Sequence, residues 1–444
     1  MSEITLYAGD NRATLKRLIE EGVRVHSVVT DPPYGLVSIQ KRFGKEGSAA
    51  ARTQGNDGSF ARLSGGFMGK AWDASGIERN PEFWRLIYDI LLPGGYVFAF
   101  SGSRTGHWQA CAMEQAGFIM HPMHGWVFGS GFPKAHAADK AIDKMLGADQ
   151  HRDGSWIKDN GREYQPGQYV PGSPEAAEWE GWAYGTQAQK PALEPIYLGQ
   201  KPFDCKTGAA NLLKHGVGAV NIDGCRVPTN PEIDDPRLGG KGTWGTENAA
   251  KNVYEGGYAG ARVSSSALGR HPANLILDGS PEVVAMFPDS KGQQAASKGD
   301  GEGRKTANCY GKMGHNAPVM QPRNDTGSAA RFFHHFPVTS EDDDWAIAAD
   351  PLFYHPKAGK ADRAGSKHPT VKPIALMQYL IRHITPPGGV VLDPFAGSGT
   401  TAEAARREGF DCILMEAEPE YIDFLNERFA LPVRQSTSLT ALLA

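Results

Sequence analysis

The stretch Val28-Val29-Thr30-Asp31-Pro32-Pro33-Tyr34 joins an apolar run to a carboxylate, two prolines and an aromatic ring. Val28 and Val29, with Val23 and Val25 upstream, read as a buried parallel strand that ends at Asp31. Neither Pro32 nor Pro33 has an N–H to donate, so strand pairing stops there and the backbone stiffens. Asp31 and Tyr34 are then held at the carboxyl end of a sheet, where open α/β sheets place their ligands. The residue types suggest a specific chemistry. A carboxylate and a rigid backbone carbonyl can both accept hydrogens from one exocyclic amino group, and an aromatic ring can stack on the flat base that carries it. The tetrapeptide reads equally as an ordinary strand-to-turn exit, because Asp-Pro and Pro-Pro are common turn formers.

Upstream, Ile4 to Tyr7 reads as a strand ending at Gly9-Asp10, and Leu15, Leu18 and Ile19 come next at helical spacing. The chain therefore opens strand–helix–strand, the first sign of a doubly wound sheet. Downstream, residues 35–70 are rich in Gly, Ser, Ala and Arg without periodicity, a length that suits a lid beside the Asp31 motif. Phe83, Leu86, Ile87, Ile90 and Leu91 form a helical stripe expected to end at Pro93-Gly94-Gly95. Tyr96 to Phe100 reads as a strand, Thr105 to Ala116 as a helix, and His124 to Phe128 as a strand. Trp126 and Phe128 are expected in the core. After a Gly-, Pro-, Gln- and Trp-rich stretch over 150–192, Pro195 to Leu198 reads as one more strand.

Composition sets the frame. The 444 residues allow two or three domains, and 40% hydrophobic with 22% charged residues is ordinary for a globular protein. The net charge of −4 gives no global basic signal, so a nucleic-acid surface would have to be a local patch. The five cysteines are far apart with no CxxC pair, which argues against a zinc site or a disulfide framework and fits a reducing cytoplasm. No metal is expected. No apolar run reaches membrane-spanning length and the N-terminus lacks a signal-peptide pattern.

From about 203 to 350 the α/β rhythm disappears, with short candidate strands such as Asn274 to Leu277 among glycine-rich loops. Within 290–335, seven basic residues, among them Lys291, Arg304, Lys305, Arg323 and Arg331, face three acidic ones. This is a phosphate-contacting surface or a solvated loop; charge alone favours the loop. The run Glu341 to Asp344 reads as a solvated acidic turn.

Rhythm returns near 351. His368-Pro369-Thr370-Val371-Lys372-Pro373 precedes an amphipathic helix, Ile374 to Ile384. Val390-Val391-Leu392 is a buried strand running into Asp393-Pro394-Phe395-Ala396-Gly397-Ser398-Gly399-Thr400-Thr401. Helix Ala402 to Arg407, strand Cys412 to Met415, Glu416 and a helix to about Phe429 complete the pattern. Gly397 and Gly399 allow a sharp turn and close approach to a ligand. Glu416, ending the next strand, suits a ribose hydroxyl pair. A phosphate loop is excluded, since no Gly-Lys-Ser/Thr is present there.

The segment Asp393 to Thr401 resembles the S-adenosylmethionine loop of amino-directed DNA methyltransferases (N6-adenine and N4-cytosine), and Asp31 to Tyr34 resembles their catalytic motif. With the catalytic motif first, the order is similar to the family's β arrangement. The resemblance covers about 1–130 and 351–430 and is looser at Glu194 to Lys201. It implies a doubly wound, mostly parallel α/β sheet of the seven-stranded methyltransferase type with a large irregular target-recognition insert. The division implied is 1–202 for the catalytic half, 203–350 for target recognition, 351–434 for the cofactor half, and 435–444 for a tail. It also implies that Asp393, Phe395, Ala396, Gly397, Ser398, Gly399 and Thr400 hold S-adenosylmethionine, with Glu416 on its ribose and Asp10 near its adenine. His368, Thr370, Lys372 and Pro373 would flank its methionine part. Plainer readings stay open: Asp10 as a helix cap, His368 as a loop histidine, Lys372 as surface.

The function so implied is site-specific methylation of double-stranded DNA at adenine N6 in a flipped-out base, with Asp31, Pro32, Pro33 and Tyr34 at the reacting nitrogen. Cytosine N4 is the alternative, and so is a catalytically idle DNA-binding subunit. Enzymes acting on RNA or a protein amide share similar Pro-Pro-Tyr motifs, usually with Asn first. The recognition sequence, a restriction-enzyme partner and a homodimer are not decided by the sequence.

Overall fold

The computed structural model describes residues 2–35, 75–129, 131, 133–148, 151–153, 156–157, 163–165, 168–227, 270–290, 327–336, 358, 360–366, 371–431 and 434–435. The expected lid, apart from Gly35, and the acidic run at 341–344 lie outside them.

Eleven strands form one sheet. In chain order they are β1 (Ile4–Ala8), β2 (Val25–Thr30), β3 (Leu91–Phe100), β4 (Ile119–Met120), β5 (His124–Val127), β6 (Leu193–Gln200), β7 (Leu275–Leu277), β8 (His334–His335), β9 (Val390–Asp393), β10 (Asp411–Glu416) and β11 (Arg434–Gln435). Across the sheet the order is β8-β7-β5-β6-β3-β2-β9-β10-β1-β11, with β4 also beside β6. β6 runs against its neighbours β3, β4 and β5, while the other pairings are parallel. Seven of these strands are the ones the resemblance implies. The short β4, β7, β8 and β11 are additions, and two of them come from the 203–350 stretch.

Helices cover both faces, as a parallel sheet requires. On one side lie α1 (Asn11–Glu20), α2 (Pro81–Ile90) and α3 (Gly106–Gln115), which bury Leu15, Leu18, Phe83, Trp84, Ile87 and Met113 against Val28, Val97 and Leu392. On the other lie α4 (Ile374–Ile384), α5 (Thr400–Glu408) and α6 (Pro419–Phe429), packed on Val29, Phe98, Phe100 and Leu414. Successive residues Val28 and Val29 serve opposite faces, so this pair is apolar on both sides of the sheet rather than alternating. Trp126 and Phe128 are core residues.

The turn expected at Pro93-Gly94-Gly95 is a bulge inside one ten-residue strand. β3 pairs Leu91 with Val25 and then Tyr96 with Ser27, so the intervening residues bow out. Pro93 offers no N–H, and its carbonyl accepts from Asn211 Nδ2 at 2.8 Å. Lys201 brackets the bulge through Gly94 and Gly95.

Candidate active site

β2 and β9 are neighbours, yet the chain leaves them in opposite directions. From β2 it passes over one face to β3, and from β9 over the other face to β10. The crevice beyond their carboxyl ends is thus the topological switch point of the sheet, the place where such folds bind ligands. The two motifs meet there. The Thr30 hydroxyl donates to Asp393 Oδ1 at 2.7 Å across 363 residues of chain.

Asp31 lies at the exit of β2, with Pro32 and Pro33 buried behind it. Its Oδ2 accepts from the Lys372 ammonium, and its Oδ1 is buried with no hydrogen-bond partner among the described residues. Lys372 is only 6% exposed, which disposes of its surface reading. Its Nζ is 3.2 Å from the Tyr34 hydroxyl, 3.8 Å from Glu194 Oε2 and 4.8 Å from the Phe100 ring centre. Four elements supply this cluster: the turn after β2, the end of β3, the antiparallel β6, and the segment entering α4. Burial pushes the Asp31 carboxyl above its ordinary pKa; Lys372 pulls it down and Glu194 pushes it up. Tyr34 is seated by its own carbonyl, which accepts from Thr105 Oγ1 at 2.7 Å, and by Gly102, where a Cβ would come within 3.3 Å of the ring.

The glycine loop after β9 is tied down by two carboxylates. Asp393 is 2% exposed, with both oxygens engaged. Oδ1 accepts from Thr30 and from the Phe395 amide at 3.0 Å, and Oδ2 from Thr401 Oγ1 at 2.5 Å. Burial raises its pKa to about 6. Glu416 accepts from the amides of Gly397 at 2.8 Å and of Ala417 and Glu418 at 2.9 Å. Burial raises it to about 7. These contacts leave Glu416 roughly one of a carboxylate's four lone-pair sites. Gly397 sits at φ +53, as its sharp turn requires. Gly399 serves packing more than ligand approach, since a Cβ there would lie 2.5 Å from Leu425. Ala396 donates to the Met415 carbonyl at 3.0 Å, and the Ser398 and Thr400 hydroxyls are 3.2 Å apart. The Phe395 ring packs 5.3 Å from that of Phe83.

Asp10 caps α1: its Oδ1 accepts from the amides of Arg12 at 2.8 Å and Ala13 at 3.1 Å, and Oδ2 pairs with the Arg12 guanidinium. It still stands at the carboxyl end of β1, where the Gly9 amide donates to the Glu416 carbonyl at 2.8 Å. Pro373 is the residue before α4. His368 and Thr370 lie outside the described residues, as do Lys291, Arg304, Lys305 and Arg323. The Arg331 guanidinium donates to the carbonyls of Gly327, Ser328 and Ser290 and lies over Phe332, so it braces the antiparallel pairing of Asp289–Ser290 with Gly327–Ser328.

Glu194 is the site residue that sequence reading missed. Its signal was present: a carboxylate inside the apolar strand Leu193-Glu194-Pro195-Ile196-Tyr197-Leu198, where a charge persists only if it is paired.

Residues 240–427 match the N6/N4 methyltransferase family model, described as DNA methylase. The match contains Lys372, the 393–400 loop and Glu416, and begins well after Asp31. The type II methyltransferase M2.DpnII of Streptococcus pneumoniae is 42% identical over 69 residues, 16% of this chain and 26% of that protein. The chain thus aligns with about a quarter of the length of this curated relative. Among solved structures, the M1.HpyAVI–SAM complex is 14% identical with a TM-score of 0.37, covering 96% of this chain and all of that one. The cytosine-N4-specific PvuII DNA methyltransferase is 14% identical with a TM-score of 0.35, covering all of this chain and 92% of that one. The fold rests on the sheet order rather than on these two likenesses. In motif and in family match, part of the chain is similar to the amino-directed DNA methyltransferases.

Proposed function

We propose that the chain methylates DNA at an exocyclic amino nitrogen, adenine N6, using S-adenosylmethionine. The observation that carries this reading is the buried Asp31 Oδ1, which has no hydrogen-bond partner among the described residues, beside the glycine loop at the switch point. A buried acceptor without a donor is costly and signals a missing partner. An amino group is such a partner: one hydrogen goes to Asp31 and the other to the Pro32 carbonyl. Holding both hydrogens favours the pyramidal nitrogen and turns its lone pair outward.

The residues after β9 and β10 suit the cofactor. Glu416 would accept from its ribose hydroxyls, and the turn at Gly397 and Ala396 would let the backbone lie close to it. When bound, S-adenosylmethionine supplies an activated methyl on sulfur. The chain's own contribution is placement of the acceptor nitrogen and electrostatic stabilisation of the charge that grows on it. Because the target nitrogen is buried in a duplex, the base must leave the stack. Tyr34 would then replace part of the lost stacking, worth about 1–3 kcal/mol.

Adenine is favoured over cytosine N4 because an Asp opens the motif: in the family that the motif resembles, Asp or Asn in that position goes with adenine and Ser is usual with cytosine. The test is direct. DNA incubated with the protein and S-adenosylmethionine is digested to nucleosides and weighed by mass spectrometry. N6-methyladenine is the expected product. N4-methylcytosine alone would overturn the base assignment, and no methylated nucleoside would overturn the reading.

A further inference from the structure

At the end of β3 opposite the Asp31 crevice, the helix Gly208–His215 folds back on the residues that precede it. Three side chains of different chemistry meet there. Asp204 Oδ1 lies 2.8 Å from His215 Nε2 and accepts from the Cys205 thiol at 3.1 Å. The oxygen, the sulfur and the imidazole nitrogen all lie within 4.8 Å of one another. The other carboxylate oxygen, Oδ2, is held by the Lys214 ammonium at 2.7 Å.

A surface ion pair explains only part of this arrangement. Lysine and histidine in the last turn of a helix pair well with a carboxylate. The thiol adds little to such a pair, because S–H is a weak donor. A metal ion uses all three groups. Thiolate sulfur, imidazole nitrogen and carboxylate oxygen are the ligand types of zinc, and bonds of about 2.0–2.3 Å set tetrahedral ligand atoms about 3.3–3.8 Å apart. The two short contacts at Asp204 Oδ1 need open by only about 0.5 Å to reach that spacing, a matter of side-chain rotation.

We propose that Asp204, Cys205 and His215 form a site for a zinc-type divalent cation, with its fourth position left to water. The cation takes the place of the hydrogens that now bridge the cluster. The Cys205 proton passes to solvent and its sulfur binds as thiolate. The Nε2 proton leaves, either to solvent or through the Nδ1–H tautomer, so that the nitrogen offers its lone pair. Thiolate and carboxylate then balance the two positive charges. Lys214 keeps the carboxylate turned toward the metal, as the outer partners of metal ligands do.

The scaffold holds the ligands in place. Asn211, one turn before His215, is fully buried and donates to the carbonyls of Pro93 and Val217 at 2.8 Å. Phe203, next to Asp204, packs so closely on Gly94 that a Cβ there would lie 3.0 Å from its ring. Lys201 Nζ donates to the carbonyls of Tyr88 and Leu91 at 2.8 and 2.7 Å. The segment is therefore anchored before Asp204 and within the helix. Gly94 and Phe100 are six residues apart on β3, about 20 Å, so the site stands apart from the Asp31 cluster and ties the helix to the loop before it. A search for CxxC pairs passes over it, since it uses one cysteine with an aspartate beside it and a histidine ten residues on.

Metal titration tests the site. Cobalt(II) alone, added to full-length protein stripped with chelator, should give thiolate-to-metal charge-transfer absorption and the visible bands of a tetrahedral ion, complete at one equivalent. Zinc should displace it and raise the melting temperature. Cys205→Ser should lose the charge-transfer band. His215→Gln should weaken zinc binding by about a hundredfold or more in calorimetry. Cys111→Ser, which removes an exposed thiol elsewhere, should change neither. Wild-type protein without the charge-transfer band, or a band that survives in Cys205→Ser, overturns the proposal. Should Cys205→Ser fail to fold, His215→Gln decides alone, and wild-type zinc affinity in it overturns the proposal. Methyl transfer enters none of these readouts, so the result stands apart from the methyltransferase reading.

Discussion

The ends of β2 and β9 are built alike and used differently. Each strand runs into Asp-Pro, each is buried on both faces, and they lie side by side. At β9 both oxygens of the carboxylate are held: two threonine hydroxyls and an amide donate to Asp393. At β2 one oxygen of Asp31 is held by an ammonium and the other has no partner among the described residues. The same dipeptide is a fastener in one place and an open acceptor in the other. The difference lies in the next residues along the chain. Pro32-Pro33 offers no amide to fold back on Asp31, whereas Phe395 after Pro394 does.

This contrast orders the expected effects. The largest belongs to the open acceptor. Asp31→Ala should lower methyl transfer about a thousandfold or more, measured with labelled donor on plasmid DNA. A loss of only a few-fold would mean that Asp31 is an ordinary strand exit after all.

The fastener should show itself in stability. Asp393→Ala strands the hydroxyls of Thr30 and Thr401 and the Phe395 amide. Three donors at about 1 kcal/mol each suggest a loss of about 3 kcal/mol in urea unfolding. A change under about 1 kcal/mol would show that water replaces the carboxylate and that the comparison is overdrawn.

The third effect is on pH. Burial raises Glu416 to about 7. If it must be ionised to accept ribose hydroxyls, binding of S-adenosylmethionine prefers the deprotonated form. Affinity should then be flat above pH 7 and weaken about tenfold per pH unit below it, until the bound complex itself is protonated. Glu416→Gln should bind more weakly and lose the slope. A wild-type affinity independent of pH across this range would take Glu416 off the ribose.

The smallest effect concerns the basic stretch within 290–335. If it meets phosphates, Arg304→Ala with Lys305→Ala should weaken binding to every duplex and reduce the logarithmic salt slope by about 2. An unchanged slope would return the stretch to a solvated loop.

Much of this was readable from the chain because the strongest signals were continuous. Val28-Val29 and Val390-Val391-Leu392 are apolar runs leading to aspartate, and α2 and α4 carry full helical stripes. Three features were not readable. β8 is two residues long, too short for any periodicity to register, whereas β7 lies within the candidate strand Asn274 to Leu277. The bulge at Pro93 depends on Asn211 and Lys201, more than a hundred residues away. The pairing of Lys372 with Asp31 and Glu194 was hidden because a lone lysine before a proline carries no pattern, and only the resemblance set it beside the cofactor rather than on the surface. The fold brings both carboxylates to it from distant parts of the chain. Arg331, counted toward a patch by its charge, also braces backbone carbonyls on both sides of the pairing of Asp289–Ser290 with Gly327–Ser328, a role that no local pattern announces.

The division between the two strand ends is tested most directly by calorimetric titration of S-adenosylmethionine into Asp31→Ala and Gly397→Val. In the proposed reading Asp31 meets the base and not the donor, so its loss should leave the donor's Kd within about threefold of wild type. A β-branched residue at Gly397, where φ is +53, costs about 1–2 kcal/mol in the backbone and should weaken the donor by about tenfold or more. If Asp31→Ala loses donor affinity as badly as Gly397→Val, the two ends do not divide the work and the account is contradicted.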